Sequence, residues 1–129
     1  MNNKFDVIIV DDVPEFTKNL RKILEIESIS LKVFEEPNEF LNYALNKEFD
    51  ACKILIIDYS MPLLTGYDVY KELYEIKGGH IYQKKILYTA NLEQIPIDEK
   101  LYIESLGIEF LKKPNIQELM RIILEGMEN

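Results

Sequence analysis

The feature that most constrains this chain is a repeated change of hydrophobic rhythm, from short unbroken β-branched runs to stripes at helical spacing. Val7-Ile8-Ile9-Val10 contains four β-branched residues without alternation, the pattern of a strand covered on both faces. Pro14 suits the first turn of a helix, where its missing N–H costs nothing, and Phe16, Leu20, Ile23 and Leu24 follow at helical spacing. Ser30 to Glu35 reads as a second strand, and Pro37 to Lys47 as a short helix carrying Phe40, Leu41 and Leu45. Ile54-Leu55-Ile56-Ile57 is a third apolar run. After a loop with Pro62 and Gly66, a helix carries Val69, Leu73 and Ile76 on one side, and Gly78-Gly79 stops it. Lys85 to Thr89 gives a fourth strand. A helix near Ile97 to Leu106 ends at Gly107, and Ile108 to Leu111 is a short fifth strand. Asn115 can cap the last helix, with Glu118 three residues on completing a capping-box-like pair. Its apolar stripe is Ile116, Leu119, Met120, Ile123 and Met127.

Five strand-helix units in 129 residues leave about 26 residues for each, so residues 1–129 are expected to form one domain with no room for an output domain. Alternation of this kind implies an α/β fold, a doubly wound parallel sheet with helices on both faces. Hydrophobic residues at 47% and charged residues at 29% fit a globular protein and exclude a disordered tail or a disulfide scaffold. The formal net charge of -8 argues against direct nucleic-acid binding through a broad basic surface, and against an anionic membrane surface. Cys52 is the single cysteine, so no internal disulfide exists, and no apolar run is long enough to span a bilayer. A cytoplasmic location is the default expectation.

In doubly wound sheets ligands bind beyond the carboxyl ends of the strands, where the strand order reverses. Asp11-Asp12 directly follows the first strand, Asp58 directly follows the third, Thr89 ends the fourth and Lys113 lies just past the fifth. If strands one and three are neighbours, three carboxylates converge on one crevice beside a hydroxyl and an ammonium. Convergent carboxylates raise one another's proton affinity unless a cation intervenes. Oxygen-only ligation favours a hard divalent cation such as Mg²⁺, and the lack of histidine or cysteine at a strand end disfavours zinc. A carboxylate nucleophile with a metal, a lysine and a hydroxyl suits phosphoryl transfer through an aspartyl phosphate.

These residues resemble the response-regulator receiver domain of two-component signalling, of the chemotaxis-regulator type, from about Phe5 to Met127. The matching motifs are Asp11-Asp12, Asp58-Tyr59-Ser60-Met61-Pro62 with Gly66 eight residues after Asp58, Thr89-Ala90, and Phe110-Leu111-Lys112-Lys113-Pro114. The resemblance implies a flavodoxin-like (βα)5 fold with strand order 2-1-3-4-5. It implies that Asp58 accepts a phosphoryl group from the histidine of a histidine kinase or a histidine phosphotransfer protein. Asp12 then resembles the direct Mg²⁺ ligand, Asp11 the residue holding the metal through water, and the backbone carbonyl of Ser60 a further ligand. Lys113 is expected to pair with a phosphoryl oxygen, before a cis bond to Pro114. Thr89 and Phe110 match the switch pair that reshapes the face of the fourth helix, fifth strand and fifth helix for a downstream protein partner or a homodimer. Such a domain is a signalling switch rather than an enzyme.

Ser60 and Asn91 occupy the two positions that tune phosphoryl lifetime in this family. Neither is a carboxylate or a long amide suited to orienting water, so no unusually fast self-dephosphorylation is expected. A phosphorelay carrier, which passes the phosphoryl group on, and a silent interaction module are the competing readings. A haloacid-dehalogenase-type hydrolase needs a second Asp two residues after the first, and Asp11-Asp12-Val13 fails that spacing. Val13-Pro14-Glu15-Phe16 lacks the hydroxyls or glycines of a flavin phosphate loop. His80 reads as an exposed loop residue, Cys52 as a small edge-of-core residue, and Tyr67, Tyr70 and Tyr74 as amphipathic packing.

Overall fold

A computed structural model describes residues 5–46, 52–77 and 82–128. The elements run β1 (Val7–Val10), α1 (Pro14–Ile26), β2 (Leu31–Phe34), α2 (Pro37–Ala44), β3 (Ile54–Ile57), α3 (Gly66–Lys77), β4 (Lys84–Thr89), a short 3-10 turn (Leu92–Gln94), α4 (Ile97–Ser105), β5 (Glu109–Lys112) and α5 (Ile116–Met127). All strand pairs are parallel and the sheet order is β2-β1-β3-β4-β5, as the sequence resemblance implied. The order reverses between β1 and β3, which places the crevice there.

Successive side chains of a strand point to opposite faces, and here both faces are covered. Ile8, Val10, Leu55, Ile57 and Leu87 join one core with Phe40 of α2, Val69 and Leu73 of α3 and Ile103 of α4. Val7, Ile9, Ile54, Ile56 and Ile86 join the other with Leu20 and Leu24 of α1 and Leu119 and Ile123 of α5. The unbroken apolar runs of β1 and β3 are the consequence, since every position is an inside position. Each such aliphatic side chain contributes about 1.5–3 kcal/mol by leaving water.

Several local expectations need correction. Ile76 does not join the buried side of α3, which is Gly66, Val69, Tyr70 and Leu73; it is exposed, on the flank that carries Leu64, Glu72 and Glu75. The buried face of α5 is Leu119, Ile122, Ile123 and Gly126, so Ile116 stands at its exposed border. Gly126 belongs to that face because a Cβ there would come within 2.8 Å of Ile54. Asn115 does cap α5, accepting the Glu118 N–H at 3.2 Å. The reciprocal half of the box is missing, because the Glu118 carboxylate pairs with Arg121 and the Asn115 N–H donates to the Tyr88 hydroxyl at 3.0 Å. Gly107 ends α4 with a left-handed φ of 77°, the conformation glycine adopts without penalty. Gly78-Gly79 and His80 lie outside the described residues.

The tyrosines of α3 pack as expected. Tyr70 is fully buried and its hydroxyl donates to Ile86 O at 2.8 Å and lies 3.2 Å from Leu55 O, so it ties α3 to β3 and β4. Tyr74 reaches Leu106 O at 3.1 Å, and Tyr67 meets Tyr102 edge-on. Cys52 is buried, and burial pushes its thiol up to about 12. Tyr70→Phe should lower stability by about 1–2 kcal/mol, because it removes a buried donor and leaves the fold's apolar packing in place. Urea titration should show a lower midpoint at unchanged slope; an unchanged midpoint would contradict the strut role.

Candidate functional site

The site is assembled by extending the sheet's hydrogen-bond ladder by one residue at each strand end. The Asp11 N–H donates to Phe34 O at 3.0 Å, which continues the β1–β2 pairing past Val10. The Asp58 N–H donates to Val10 O at 2.9 Å and continues β1–β3 past Ile57. The Lys113 N–H donates to Thr89 O at 3.0 Å and continues β4–β5 past Lys112. Asp11, Asp58 and Lys113 are therefore held on backbone that the sheet itself fixes.

Three carboxylates converge there. Asp11, Asp12 and Asp58 each present an oxygen, all within 4.8 Å of one another. Asp11 and Asp58 are buried, while Asp12 is half-buried. Asp11 accepts the Val13 N–H at 2.9 Å, which fixes the turn into α1. Lys113 Nζ lies 2.6 Å from Asp11 Oδ2 and 3.8 Å from Asp58 Oδ2, and the Lys113-Pro114 peptide is cis, as expected. Thr89 is buried beside Asp58, and Ser60 and Asn91 border the same recess.

The predicted residues Asp11, Asp12, Asp58, Thr89 and Lys113 are thus brought together, with Ser60 at the rim. Phe110 is not part of this cluster. It stands half-buried on β5, against the core beneath α4, where it borders a depression with Leu92, Ile97 and Lys100. Two contacts escaped the sequence reading. The Tyr59 hydroxyl, one residue after Asp58, donates to Glu99 of α4 at 2.8 Å. The Lys113 ammonium lies 4.7 Å from the centre of the Phe16 ring and 5.7 Å from that of Tyr88. The aromatic pair contacts itself at 5.3 Å. Gly66 opens α3 with its N–H on Tyr59 O at 2.9 Å, and a Cβ there would come within 2.5 Å of the Asp58 carbonyl oxygen.

Around this cluster lies a recess of about 670 Å³, with Val13, Phe16, Ile23 and Ile116 on its apolar side. Asp58 and Lys113 face this recess, and the cluster behind it sets three carboxylates against the Lys113 ammonium. Burial raises the Asp58 carboxyl to about 6; Lys113 opposes the rise, Asp11 adds to it, and a hydrogen bond from Thr89 lowers it. Oxygen-only donors of this kind fit a hard divalent cation.

Comparison with known proteins gives the family and the fold. The response regulator receiver domain family matches residues 7–124, so the chain belongs to that family, a phosphoacceptor class of two-component signalling. Response regulator protein TmoT of Ectopseudomonas mendocina is 32% identical over 92% of this chain and 50% of its own length. The chain spans about half the length of most of the curated relatives it matches. In fold it is similar to response regulator protein TrrA from Thermotoga maritima, solved in complex with Mg²⁺ and BeF (TM-score 0.71, 24% identity, 93% of this chain and 96% of that one). It is also similar to the receiver domain of sensor histidine kinase PA1611 from Pseudomonas aeruginosa PAO1, which holds a magnesium ion in its active-site cleft (TM-score 0.73, 22% identity, 97% and 98% covered).

The raised Asp58 carboxyl has a consequence for stability. A folded value near 6 against an ordinary 3.8 means that ionising Asp58 weakens the metal-free fold. The penalty is absent below about pH 4 and grows as pH rises through about 6. In EDTA at pH 7, Asp58→Asn should gain about 1–3 kcal/mol, and the gain should shrink towards zero near pH 4. Melting curves at the two pH values check this; an equal gain at both would contradict it.

Proposed function

We propose that residues 1–129 form one receiver domain that accepts a phosphoryl group on Asp58 from the phosphohistidine of a histidine kinase or a histidine phosphotransfer protein. The observation that carries this reading is the meeting of Asp11, Asp12 and Asp58 at one strand edge, with Lys113 across from them, in a chain of the receiver family. The donor set supports Mg²⁺ held by Asp11, Asp12, Asp58 and the carbonyl of Ser60. Bound there, Mg²⁺ supplies positive charge against the phosphoryl oxygens.

In the transfer an Asp58 carboxylate oxygen attacks phosphorus in line with the bond to the partner's imidazole. The P–O bond forms as the P–N bond breaks. The bonding pair returns to the imidazole nitrogen, and the other ring nitrogen carries the proton, so the partner leaves as neutral histidine. Lys113 compensates charge on the phosphoryl oxygens, and the Thr89 hydroxyl donates to them once Asp58 is phosphorylated. Thr89 and Phe110 then carry the change to the face of α4, β5 and α5, where a downstream partner or a second copy binds. The domain is a switch that is consumed and reset, not an enzyme turning over a substrate. A cytoplasmic location is part of the same reading, and the lone buried thiol of Cys52 needs no oxidising compartment.

Intact-mass spectrometry after incubation with acetyl phosphate and Mg²⁺ should show one phosphoryl adduct, absent in Asp58→Asn and absent without metal. No adduct, where a control receiver is labelled, would reject phosphoacceptance in favour of an interaction module. With Ser60 and Asn91 as the lifetime positions, the adduct should outlast minutes at neutral pH; decay within seconds would reject that part of the reading.

A further inference from the structure

Lysine is a poor choice for holding a charge at one point, because its ammonium rides on a flexible four-carbon stem. Here two acidic side chains compete for it, and Lys113 Nζ lies closer to Asp11 than to Asp58. Yet the Lys113 side chain is only 15% exposed, so few waters surround its head. Two ring faces stand in their place. Phe16 comes from α1, whose start is fixed by the Asp11–Val13 turn, and Tyr88 comes from β4, directly before Thr89. Tyr88 is buried, and its hydroxyl accepts the Asn115 N–H, so it also holds the loop that carries Lys113.

We infer that Phe16 and Tyr88 are positioning residues for phosphoryl transfer: an aromatic platform that holds the Lys113 ammonium, partly dehydrated, in the gap between Asp11 and Asp58. A cation over an aromatic face is attracted by the ring's quadrupole, and more strongly where water is scarce. The rings touch the ammonium without taking it into an ion pair, so its charge remains available to Asp11, Asp58 and the phosphoryl oxygens. A preplaced cation needs less rearrangement as charge develops. The inference rests on the proposed phosphoacceptance at Asp58 for its kinetic consequence, and on the ring geometry alone for its physical one.

Both are tested with Phe16→Leu, Phe16→Met and Phe16→Tyr. Adduct formation at fixed acetyl phosphate and Mg²⁺ should slow by about three- to tenfold in the two variants without a ring, and return towards wild type in Phe16→Tyr. In a Lys113→Ala background the Phe16→Leu change should make no further difference, since there is no ammonium left to hold. Equal slowing in that background would assign Phe16 a packing role and overturn the inference, as would unslowed labelling of the ring-less variants. The second arm needs no phosphorylation. The Lys113 ε-methylene protons, assigned by their disappearance in Lys113→Ala, should be shifted upfield by the rings and move downfield in Phe16→Leu. Wild type without adduct but with that shift would reject the proposed function and keep the platform; unshifted protons would reject the platform itself.

Discussion

The parallel pairing of β1 with β3 is the constraint on which the rest depends. Val10 lies opposite Ile57, so the next residue on each strand is an aspartate, and the two carboxylates emerge side by side. A slip of one residue would turn every side chain of β1 to the other face, taking Asp11 away from Asp58 and exchanging the two cores. Both strands are buried on both faces, so two independent layers of helices enforce one register. The same packing that stabilises the sheet therefore sets the spacing of the site.

That site works against the fold that holds it. Three carboxylates are gathered where one ammonium opposes them, and burial makes the ionised form of Asp58 costly. The surrounding structure tolerates this because the backbones of Asp11, Asp58 and Lys113 are pinned by bonds that continue the sheet. Unfavourable electrostatics held by an over-determined scaffold are the mark of a functional centre, since they supply affinity for a cation and for a group that brings its own charge compensation.

How much of this was legible in the sequence follows from how local each cause is. β1 and β3 were readable because burial on both faces removes alternation. Asp11, Asp58, Thr89 and Lys113 were readable because a strand end is a place in the sequence as well as in space. Ile76 and Ile116 were misassigned because helical periodicity says which residues share a side, not where a neighbour stops covering it. Glu118 was given half a capping box, but its carboxylate pairs with Arg121 on the next turn and the Asn115 N–H goes to Tyr88 on a distant strand. The cation and rings at Lys113, and the Tyr59–Glu99 bond, join residues on separate elements, and no spacing rule contains them.

Gly66 shows what close crossing does to mutational tolerance. The first residue of α3 lies so near the carbonyl of Asp58 that a single methyl group would collide with it. A change from glycine to alanine usually favours a helix. Here its cost would fall on the main chain of Asp58, eight positions earlier, while the protein's surface and charge stayed the same. A position outside the chemistry is thereby closed to nearly all side chains. The crowding that excludes them gives the loop between Asp58 and α3 its fixed shape.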